Sequence, residues 1–237
     1  MIIGSGLVAR AFFPYFARSS SVCVYAAGVS NSACADASEF NRELIRLNDA
    51  LDRHGNAELF LYFGTCSVND HHAASSPYVL HKIRMEQIVE EHPRHLILRL
   101  PQLVGNSPNP HTLLNYLFAR IARSEKFQVW KLARRNIIDV DDVARIGVSL
   151  VLDESARGEC INVANISDIA MPDVVEIMER VVGKRSLCEV LDRGGGYLID
   201  IERIRPAIKR CGISFDQGYI ERVIRKYYGN TLFAWGK

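Results

Sequence analysis

The chain has 237 residues, of which 48% are hydrophobic, and its formal net charge is +2. This length allows one large domain, or a main domain with a smaller lobe, around a sizeable core. The charges are scattered, which excludes the clustered basic face of a nucleic-acid-binding protein. No stretch approaches the roughly 20 apolar residues of a membrane helix, and the first residues lack the basic and apolar regions of a signal peptide, so we expect a cytoplasmic protein. The six cysteines lack a Cys-x-x-Cys spacing, which favours buried, reduced thiols over a zinc site or a disulfide framework.

Apolar runs alternate with helical patterns in the first half of the chain, which is typical of a parallel α/β sheet. Strands are predicted at residues 2–3, 22–27, 59–63, 96–100 and 160–164. Helices are predicted at residues 7–18, 36–55, 78–91, 112–123, 141–152 and 172–182, and residues 200–229 are mostly helical. In the first helix, Tyr15 should face inward and Pro14 should kink or break the helix. Asp36 should cap the second helix and Gly55 should end it.

The first segment that suggests chemistry is Gly4-Ser5-Gly6-Leu7-Val8-Ala9, between a short apolar strand and an apolar-faced helix. Close backbone approach followed by a helix N-terminus suits the pyrophosphate of a dinucleotide. A tight turn can also use glycine only for its backbone freedom, so both interpretations stay open for the motif alone. A dinucleotide-binding fold normally has an acid about 20 residues later to hold the adenosine ribose. That point is occupied by Tyr25-Ala26-Ala27-Gly28, which contains neither an acid nor an arginine.

The second such segment is Pro77-Tyr78-Val79-Leu80-His81-Lys82. Tyr78 and Lys82 are four residues apart and therefore share one face of the predicted helix. A phenol with a pKa near 10 can exchange protons near pH 7 more readily when an ammonium group lowers that pKa. Thr65, just after the strand at 59–63, is placed to offer a hydroxyl to the same reacting oxygen. With the glycine turn, these residues suggest hydride chemistry on a nicotinamide cofactor.

Taken together, these segments resemble the extended short-chain dehydrogenase/reductases, and within them the nucleotide-sugar epimerase/dehydratase family. Residues 4–9 resemble its glycine-rich turn, and residues 26–28 resemble the Ala-Ala/Gly turn after its fourth strand. Residues 65–68 resemble its Ser/Thr-x-x-Val segment, and residues 77–86 its Pro-Tyr-x-x-x-Lys-x-x-x-Glu helix. Residues 99–105 resemble its Arg-x-x-x-Val-x-Gly segment. Residues 135–144 resemble the stretch that returns from the substrate lobe.

The resemblance implies a shortened Rossmann-type parallel sheet, with helices on both faces and a small C-terminal lobe. The dinucleotide-binding core is expected at residues 1–104, and residues 105–237 should form mainly the substrate-binding lobe. A segment at about 136–165 should return to the core. The chain passes from its first helix directly to the equivalent of the family's fourth strand, so the second and third strands and their helix are missing. Since those elements normally hold the adenosine, their loss accounts for the missing ribose acid.

The resemblance also assigns roles to individual residues. Tyr78 would exchange a proton with the sugar, Lys82 would hold the nicotinamide ribose, and Thr65 would hydrogen-bond the reacting oxygen. The implied contacts to NAD or NADP are Gly4, Ser5, Gly6, Leu7, Val8, Ala26, Ala27, Gly28, Tyr78, Lys82, Pro101 and Val104. The implied substrate contacts are Thr65, Asn106 and Arg135, although a turn role suits Asn106 equally and Arg135 is compatible with a solvated surface. No metal site is expected, because His71 and His72 lie in a polar loop without a third ligand.

The implied function is an NAD- or NADP-dependent enzyme that epimerises or reduces a nucleotide-linked sugar, with surface polysaccharide as one use of the product. Dehydratases of the family have an acid pair directly after the catalytic threonine, where this chain has Cys66 and Ser67. Dehydration is therefore disfavoured. The alternative is a sugar-nucleotide-binding pseudoenzyme that has lost its cofactor, which the missing strands favour. In the family the helix of Tyr78 and Lys82 often forms the dimer face, and Leu80, Ile83 and Val89 are compatible with this, so the resemblance implies a homodimer.

Overall fold

The computed structural model describes residues 1–229. Its strands are β1 (Ile2–Ile3), β2 (Val22–Tyr25), β3 (Leu59–Thr65), β4 (His95–Leu100), β5 (Gln102–Val104), β6 (Lys126–Trp130), β7 (Arg134–Arg135), β8 (Ile137–Asp139), β9 (Cys160–Asn162), β10 (Ile169–Ala170) and β11 (Leu187–Leu191). Its α-helices are α1 (Leu7–Phe16), α2 (Ala37–His54), α3 (Pro77–Glu90), α4 (Leu113–Ala122), α5 (Val140–Val151), α6 (Met171–Val182), α7 (Arg205–Arg210) and α8 (Tyr219–Tyr228).

The main sheet has five parallel strands in the order β1-β2-β3-β4-β9. Within the described residues β1 is an edge strand, and only residues 17–21 connect α1 to β2. All residues of β3 are buried, as expected for a central strand covered on both faces. The prediction of a shortened Rossmann-type parallel sheet is confirmed.

The described chain forms two compact units. The sheet unit comprises residues 1–100, 140–163 and 199–213, and the second unit comprises residues 101–139, 164–198 and those from Ser214 onward. These bounds differ from the expected ones in two places. Residues 101–104 belong to the second unit, because β5 pairs with β8. Residues 199–213 belong to the sheet unit, where α7 contacts α5.

Local sequence signals account for the helices of the sheet unit. Asp36 caps α2 by accepting a hydrogen bond from the backbone N–H of Ser38 at 2.8 Å, as its position predicted. The expected break at Pro14 is wrong, because α1 continues to Phe16. Pro14 and the residue four positions before it are both exposed, so water can satisfy the carbonyl that proline leaves without a donor. Tyr15, expected to face inward, is also exposed.

The second unit contains three strand pairs, β5 with β8, β10 with β7 and β11 with β6. Helix α6 packs against α4 and α8. Asp139 is buried and accepts hydrogen bonds from the Lys226 ammonium and the Tyr227 phenol, each at 2.7 Å. No helix among residues 1–229 has the length and apolar character needed to cross a membrane.

The six cysteines are all free thiols. Only Cys23 and Cys66 are buried, and Cys160 is exposed, so the expectation of buried thiols holds for two of the six.

Candidate functional site

The glycine turn begins where β1 ends, beside the end of β2. Gly4 has a φ of +126°, and a Cβ atom at this position would lie 2.3 Å from the Ala26 carbonyl oxygen. No other residue type fits so close an approach in this conformation. Ala26 and Ala27, which follow β2, are half-buried. The predicted turn residues 4–8 and 26–28 therefore lie together at the carboxyl edge of the sheet, where open α/β sheets bind ligands.

The start of α1 is open. Gly6 is the N-cap residue, and no side chain caps the helix. A Cβ atom at Gly6 would meet none of the described atoms within 4 Å. The first N–H groups of a helix have no partner within the helix, and together they favour an anion. The uncapped start of α1 and the space at Gly6 are compatible with a phosphate group, and the cofactor contacts of Leu7 and Val8 stay predictions.

Thr65 and Tyr78 are brought together by β3 and α3. Thr65 is the last residue of β3, and Tyr78 lies in the first turn of α3, whose N-terminus is capped by the Ser76 hydroxyl. Thr65 Oγ1 accepts a hydrogen bond from the Ser67 N–H at 3.2 Å, and the Thr65 side chain lies close enough to the Tyr78 phenol to act on its pKa. Both side chains are buried. The Thr65 and Tyr78 side chains therefore lie near each other, and Lys82 follows Tyr78 by one turn of α3.

Lys82 is held by a buried carboxylate. Its Nζ atom lies 3.0 Å from Glu43 Oε1 and donates to the Tyr62 phenol at 3.1 Å. The side chains of Lys82 and Glu43 are only 4% and 1% exposed. A Cβ atom at Gly28 would lie 2.6 Å from Lys82 Nζ and 2.7 Å from Glu43 Oε1. The Ala-Ala-Gly turn after β2 thus lies directly against this ion pair.

Glu43 is the centre of a cluster, called here the Glu43 cluster, which joins α2, β3, α3 and the turn after β2. Glu43 accepts four hydrogen bonds or ion pairs, from the Val29 N–H at 2.7 Å, the Tyr62 phenol at 2.9 Å, His81 Nε2 at 2.9 Å and Lys82 Nζ at 3.0 Å. Burial alone would raise the pKa of Glu43. The hydrogen bond with His81, the Lys82 charge and the Val29 N–H outweigh burial and lower the pKa to about 2. Glu43 is therefore ionised at neutral pH and balances the charge of Lys82.

The environment of Tyr78 raises the pKa of its phenol to about 12. Burial is the main cause, and the negative charges of Glu43 and Glu86 add to it, while the hydrogen bond with Thr65 acts in the opposite direction. The net direction is the reverse of the one expected from Lys82. The physical reason is the burial of the phenol, to which the charges of Glu43 and Glu86 add, while the Lys82 ammonium is itself paired with Glu43.

Sequence reasoning missed Glu43 and Tyr62 and left His81 without a role. The signal for Glu43 was present, since it lies four residues before Leu47 and seven before Ala50, which are on the buried face of α2. A carboxylate at such a position requires a charged or hydrogen-bonding partner. His81 also stacks on Phe40, with 4.5 Å between ring centroids. Within residues 1–229 no group of His, Cys, Asp and Glu is arranged to hold a metal ion.

Four predicted site residues lie in the second unit. Val104 is buried at the end of β5, opposite Asp139 in β8, and Pro101 precedes that strand. Asn106 is exposed. Arg135 is half-buried in β7, and its guanidinium donates to the Arg134 carbonyl at 2.7 Å. Cofactor contacts by Pro101 and Val104, and substrate contacts by Asn106 and Arg135, stay predictions.

Comparison with known proteins identifies the family. Residues 9–166 match the NAD dependent epimerase/dehydratase family, and this segment includes Thr65, Tyr78 and Lys82. The chain belongs to this family. Comparison with proteins of curated function gave no match.

Solved structures of similar fold include several sugar-nucleotide enzymes. UDP-glucuronic acid 4-epimerase from Bacillus cereus, in complex with UDP-glucuronic acid and NAD, has a TM-score of 0.72 and 16% identity, over 90% of this chain and 75% of that one. RMD from Pseudomonas aeruginosa, complexed with NADPH, has a TM-score of 0.73 and 16% identity, over 96% and 97% of the two chains. WbmH from Bordetella bronchiseptica, in complex with NAD+, has a TM-score of 0.71 and 20% identity, over 90% of this chain and 76% of that one. At these identities the likeness shows the fold.

The sheet unit of this epimerase/dehydratase family member has residues that fit part of a dinucleotide. The open space at Gly6 and the uncapped start of α1 fit the pyrophosphate. Lys82 has three N–H donors, of which Glu43 and Tyr62 take two, and since its side chain is only 4% exposed, a hold on the nicotinamide ribose by the third stays a prediction. On the adenosine side, the turn after β2 offers Ala26, Ala27 and Gly28 without a carboxylate. Any hold on the adenosine ribose must therefore differ from the usual acid.

Proposed function

We propose that the chain is an NAD- or NADP-dependent enzyme that reduces or epimerises a nucleotide-linked sugar. The main support is the proximity of the buried Thr65 and Tyr78 side chains at the carboxyl edge of the sheet, with Lys82 one turn further along α3. The open start of α1 adds a phosphate-binding element to the same unit. The Bacillus cereus epimerase of similar fold, crystallised with a nucleotide-linked sugar and NAD, supports the same substrate class.

In this proposal each residue has one task. Tyr78 Oη exchanges the proton of the reacting sugar oxygen, which is general acid–base catalysis. The Thr65 hydroxyl hydrogen-bonds Tyr78 and orients the oxygen on which charge develops. Lys82 offers its third N–H to the ribose next to the nicotinamide. A bound nicotinamide would supply or accept the hydride.

The residues after Thr65 support epimerisation or reduction over 4,6-dehydration. Cys66 is fully buried, and its thiol donates to the Arg99 carbonyl at 3.3 Å. Burial raises the pKa of the Cys66 thiol, so it cannot take the place of a carboxylate. Ser67 follows, and its backbone N–H donates a hydrogen bond to Thr65 Oγ1. An acid pair for removal of water is therefore absent from the two positions after Thr65.

A second candidate is a sugar-nucleotide-binding protein without a cofactor. The observation that favours it is the direct connection from α1 to β2 through residues 17–21. No strands lie between these two described elements to extend the sheet on the adenosine side. The two candidates differ in what Tyr78 does, because a binding protein has no use for a proton at this site.

We further propose a homodimer formed through α2 and α3. Of the three α3 residues expected on the dimer face, only Leu80 is exposed, while Ile83 is half-buried and Val89 is buried. Ile45 of α2 and Leu80 are 62% and 54% exposed, which is high for large apolar side chains. Helices α2 and α3 contact each other, so the two residues belong to one helical layer. A cytoplasmic location and a role in surface polysaccharide synthesis stay predictions.

The test of the proposed function is a Tyr78→Phe variant, with Tyr15→Phe as the matched control, because Tyr15 is an exposed tyrosine of the same unit. Oxidation of NADPH is followed with a UDP-linked 4-keto sugar, and binding of NADPH is measured by calorimetry. We expect Tyr78→Phe to lose turnover by about 10²-fold or more while binding is unchanged. Equal turnover in wild type and Tyr78→Phe would contradict the assignment of Tyr78.

A further inference from the structure

The Glu43 cluster is in contact with the turn after β2 (residues 26–28), which is predicted to bind the cofactor. We propose that Glu43 is a positioning residue, which fixes this turn against the glycine turn so that the two together fit a dinucleotide. The inference rests on the proposed function, because it takes the dinucleotide as the ligand, and it adds a residue of α2 that lies outside the predicted binding set.

Glu43 holds the turn after β2 at both of its ends. Before the turn, the Tyr25 phenol donates a hydrogen bond to the Glu43 backbone carbonyl at 3.2 Å. After the turn, the Val29 N–H donates to Glu43 Oε2 at 2.7 Å. A hydrogen bond to an ionised carboxylate is about twice as strong as one between neutral groups. One residue of α2 thus fixes the points at which the chain enters and leaves the turn.

The turn itself has little apolar surface to hold it in place. Ala27 is half-buried and brings only a methyl group to the apolar core. Gly28 has no side chain, and a Cβ atom there would lie 2.6 Å from Lys82 Nζ and 2.7 Å from Glu43 Oε1. The Val29 side chain packs on α3 and adds to the hold from that side. The polar contacts of Glu43 therefore decide where the backbone of the turn lies.

The position of the turn after β2 sets the shape of the cofactor site. The Ala26 N–H donates to the Ile3 carbonyl at 2.7 Å, and a Cβ atom at Gly4 would lie 2.3 Å from the Ala26 carbonyl oxygen. The two predicted cofactor-binding turns are thus in direct contact. A misplacement of about 1 Å in a site can cost an enzyme about 10²-fold in rate. Loss of Glu43 should therefore disturb dinucleotide binding, although Glu43 itself is buried below the turn.

The test compares two variants of Glu43 with a control that only loses stability. Glu43→Ala removes every contact of the carboxylate, and Glu43→Asp keeps the charge but is one methylene shorter. The control is Leu96→Ala, because Leu96 is buried near the amino end of β4, at the opposite edge of the sheet from the turn. Loss of a buried leucine side chain lowers the melting temperature without changing a polar contact.

The first readout is the Val29 amide proton in ¹⁵N-labelled protein without cofactor. A short hydrogen bond to a carboxylate deshields this proton, so we expect it to move upfield by about 1 ppm or more in Glu43→Ala. It should also move upfield in Glu43→Asp, and it should stay in place in Leu96→Ala. An unchanged Val29 proton in Glu43→Ala would overturn the proposal, because Glu43 then does not hold the turn.

The second readout is calorimetric titration with NADPH and with NADH, at a temperature at which each protein is folded by circular dichroism. We expect Glu43→Ala to bind at least about 10-fold more weakly than wild type. Leu96→Ala should bind as tightly as wild type. Equal affinity of Glu43→Ala and wild type would overturn the positioning role. An equal loss in Leu96→Ala would also overturn it, because the effect would then come from stability alone.

If Glu43→Ala does not fold, Glu43→Asp decides. We expect it to bind more weakly than wild type, and a Val29 proton and a dinucleotide affinity both equal to wild type would overturn the proposal. Wild-type protein that binds neither NADPH nor NADH would contradict the proposed function itself. The Val29 proton, measured without cofactor, still reports whether Glu43 holds the turn, so the two failures are distinguishable.

Discussion

The ion pair between Glu43 and Lys82 allows a quantitative test by a double-mutant cycle on stability. The perturbations are Glu43→Gln, Lys82→Met and both together. Removing one member of a buried pair typically costs about 3–5 kcal/mol, because the other charge is left uncompensated. In Glu43→Gln, Lys82 keeps a neutral phenol as its remaining strong partner, so the loss of stability should lie at the upper end of this range. In Lys82→Met, Glu43 keeps the Val29 N–H, the Tyr62 phenol and His81, which places that variant at the lower end.

The combined variant should be more stable than the sum of the single losses by about 2 kcal/mol or more, because no unpaired charge stays buried. The assay is urea unfolding followed by far-UV circular dichroism, with the sheet unit and the second unit checked for a single transition. Glu39→Gln is the control and should stay within about 0.5 kcal/mol of wild type, since its carboxylate is at the surface. Single variants that each cost less than about 1 kcal/mol, or costs that simply add, would refute the reasoning.

Three further predictions concern acid stability, the glycine turn and assembly. Glu43 has a folded pKa of about 2, below its unfolded value near 4.5, so its contribution is present above pH 4.5 and is lost as the pH falls towards 2. Between pH 5.5 and pH 3 the free energy of unfolding measured in urea should fall by about 2 kcal/mol because of this group, and Glu43→Gln should lack this part of the fall. An equal dependence of the free energy of unfolding on pH in both proteins would contradict the prediction. Gly6→Ala should fold with an unchanged melting temperature and bind NADPH at least 10-fold more weakly, because its methyl group fills the open space at α1. Gly4→Ala should instead lower the melting temperature by several degrees, because its Cβ atom would strike the Ala26 carbonyl; equal stability of the two variants would count against this account. Leu80→Glu should convert the expected dimer into a monomer in light scattering, and a wild-type monomer would end that proposal.

Local sequence patterns were sufficient to predict much of the sheet unit. The apolar strand before Gly4, the run that ends at Thr65 and the capped helix of Tyr78 each lie within a short window of sequence, so their periodicity and turn residues predicted them. The shortened Rossmann-type parallel sheet followed from the alternation of strands and helices and from the resemblance to the family. Strands of two to five residues in the second unit were missed, because such segments are too short to show a period.

The electrostatics of the site could not be predicted in the same way. Glu43 and Lys82 are 39 residues apart in sequence and meet only because α2 and α3 pack in one layer. Seen along the chain, Lys82 had Tyr78 as its nearest chemical partner, so the expected effect was a lower pKa for Tyr78. In the folded protein burial raises the pKa of Tyr78, and the charges of Glu43 and Glu86 add to that effect, so the direction is the reverse of the expected one.

The most direct test of the central claim is calorimetric titration of the wild-type protein with NADH and with NADPH, after a check for nucleotide that copurifies with it. The account predicts that one of the two binds, or that a nucleotide is retained, and that Gly6→Ala weakens this binding. Absence of binding by both, with no retained nucleotide, would contradict a dinucleotide-dependent enzyme and favour the sugar-nucleotide-binding protein.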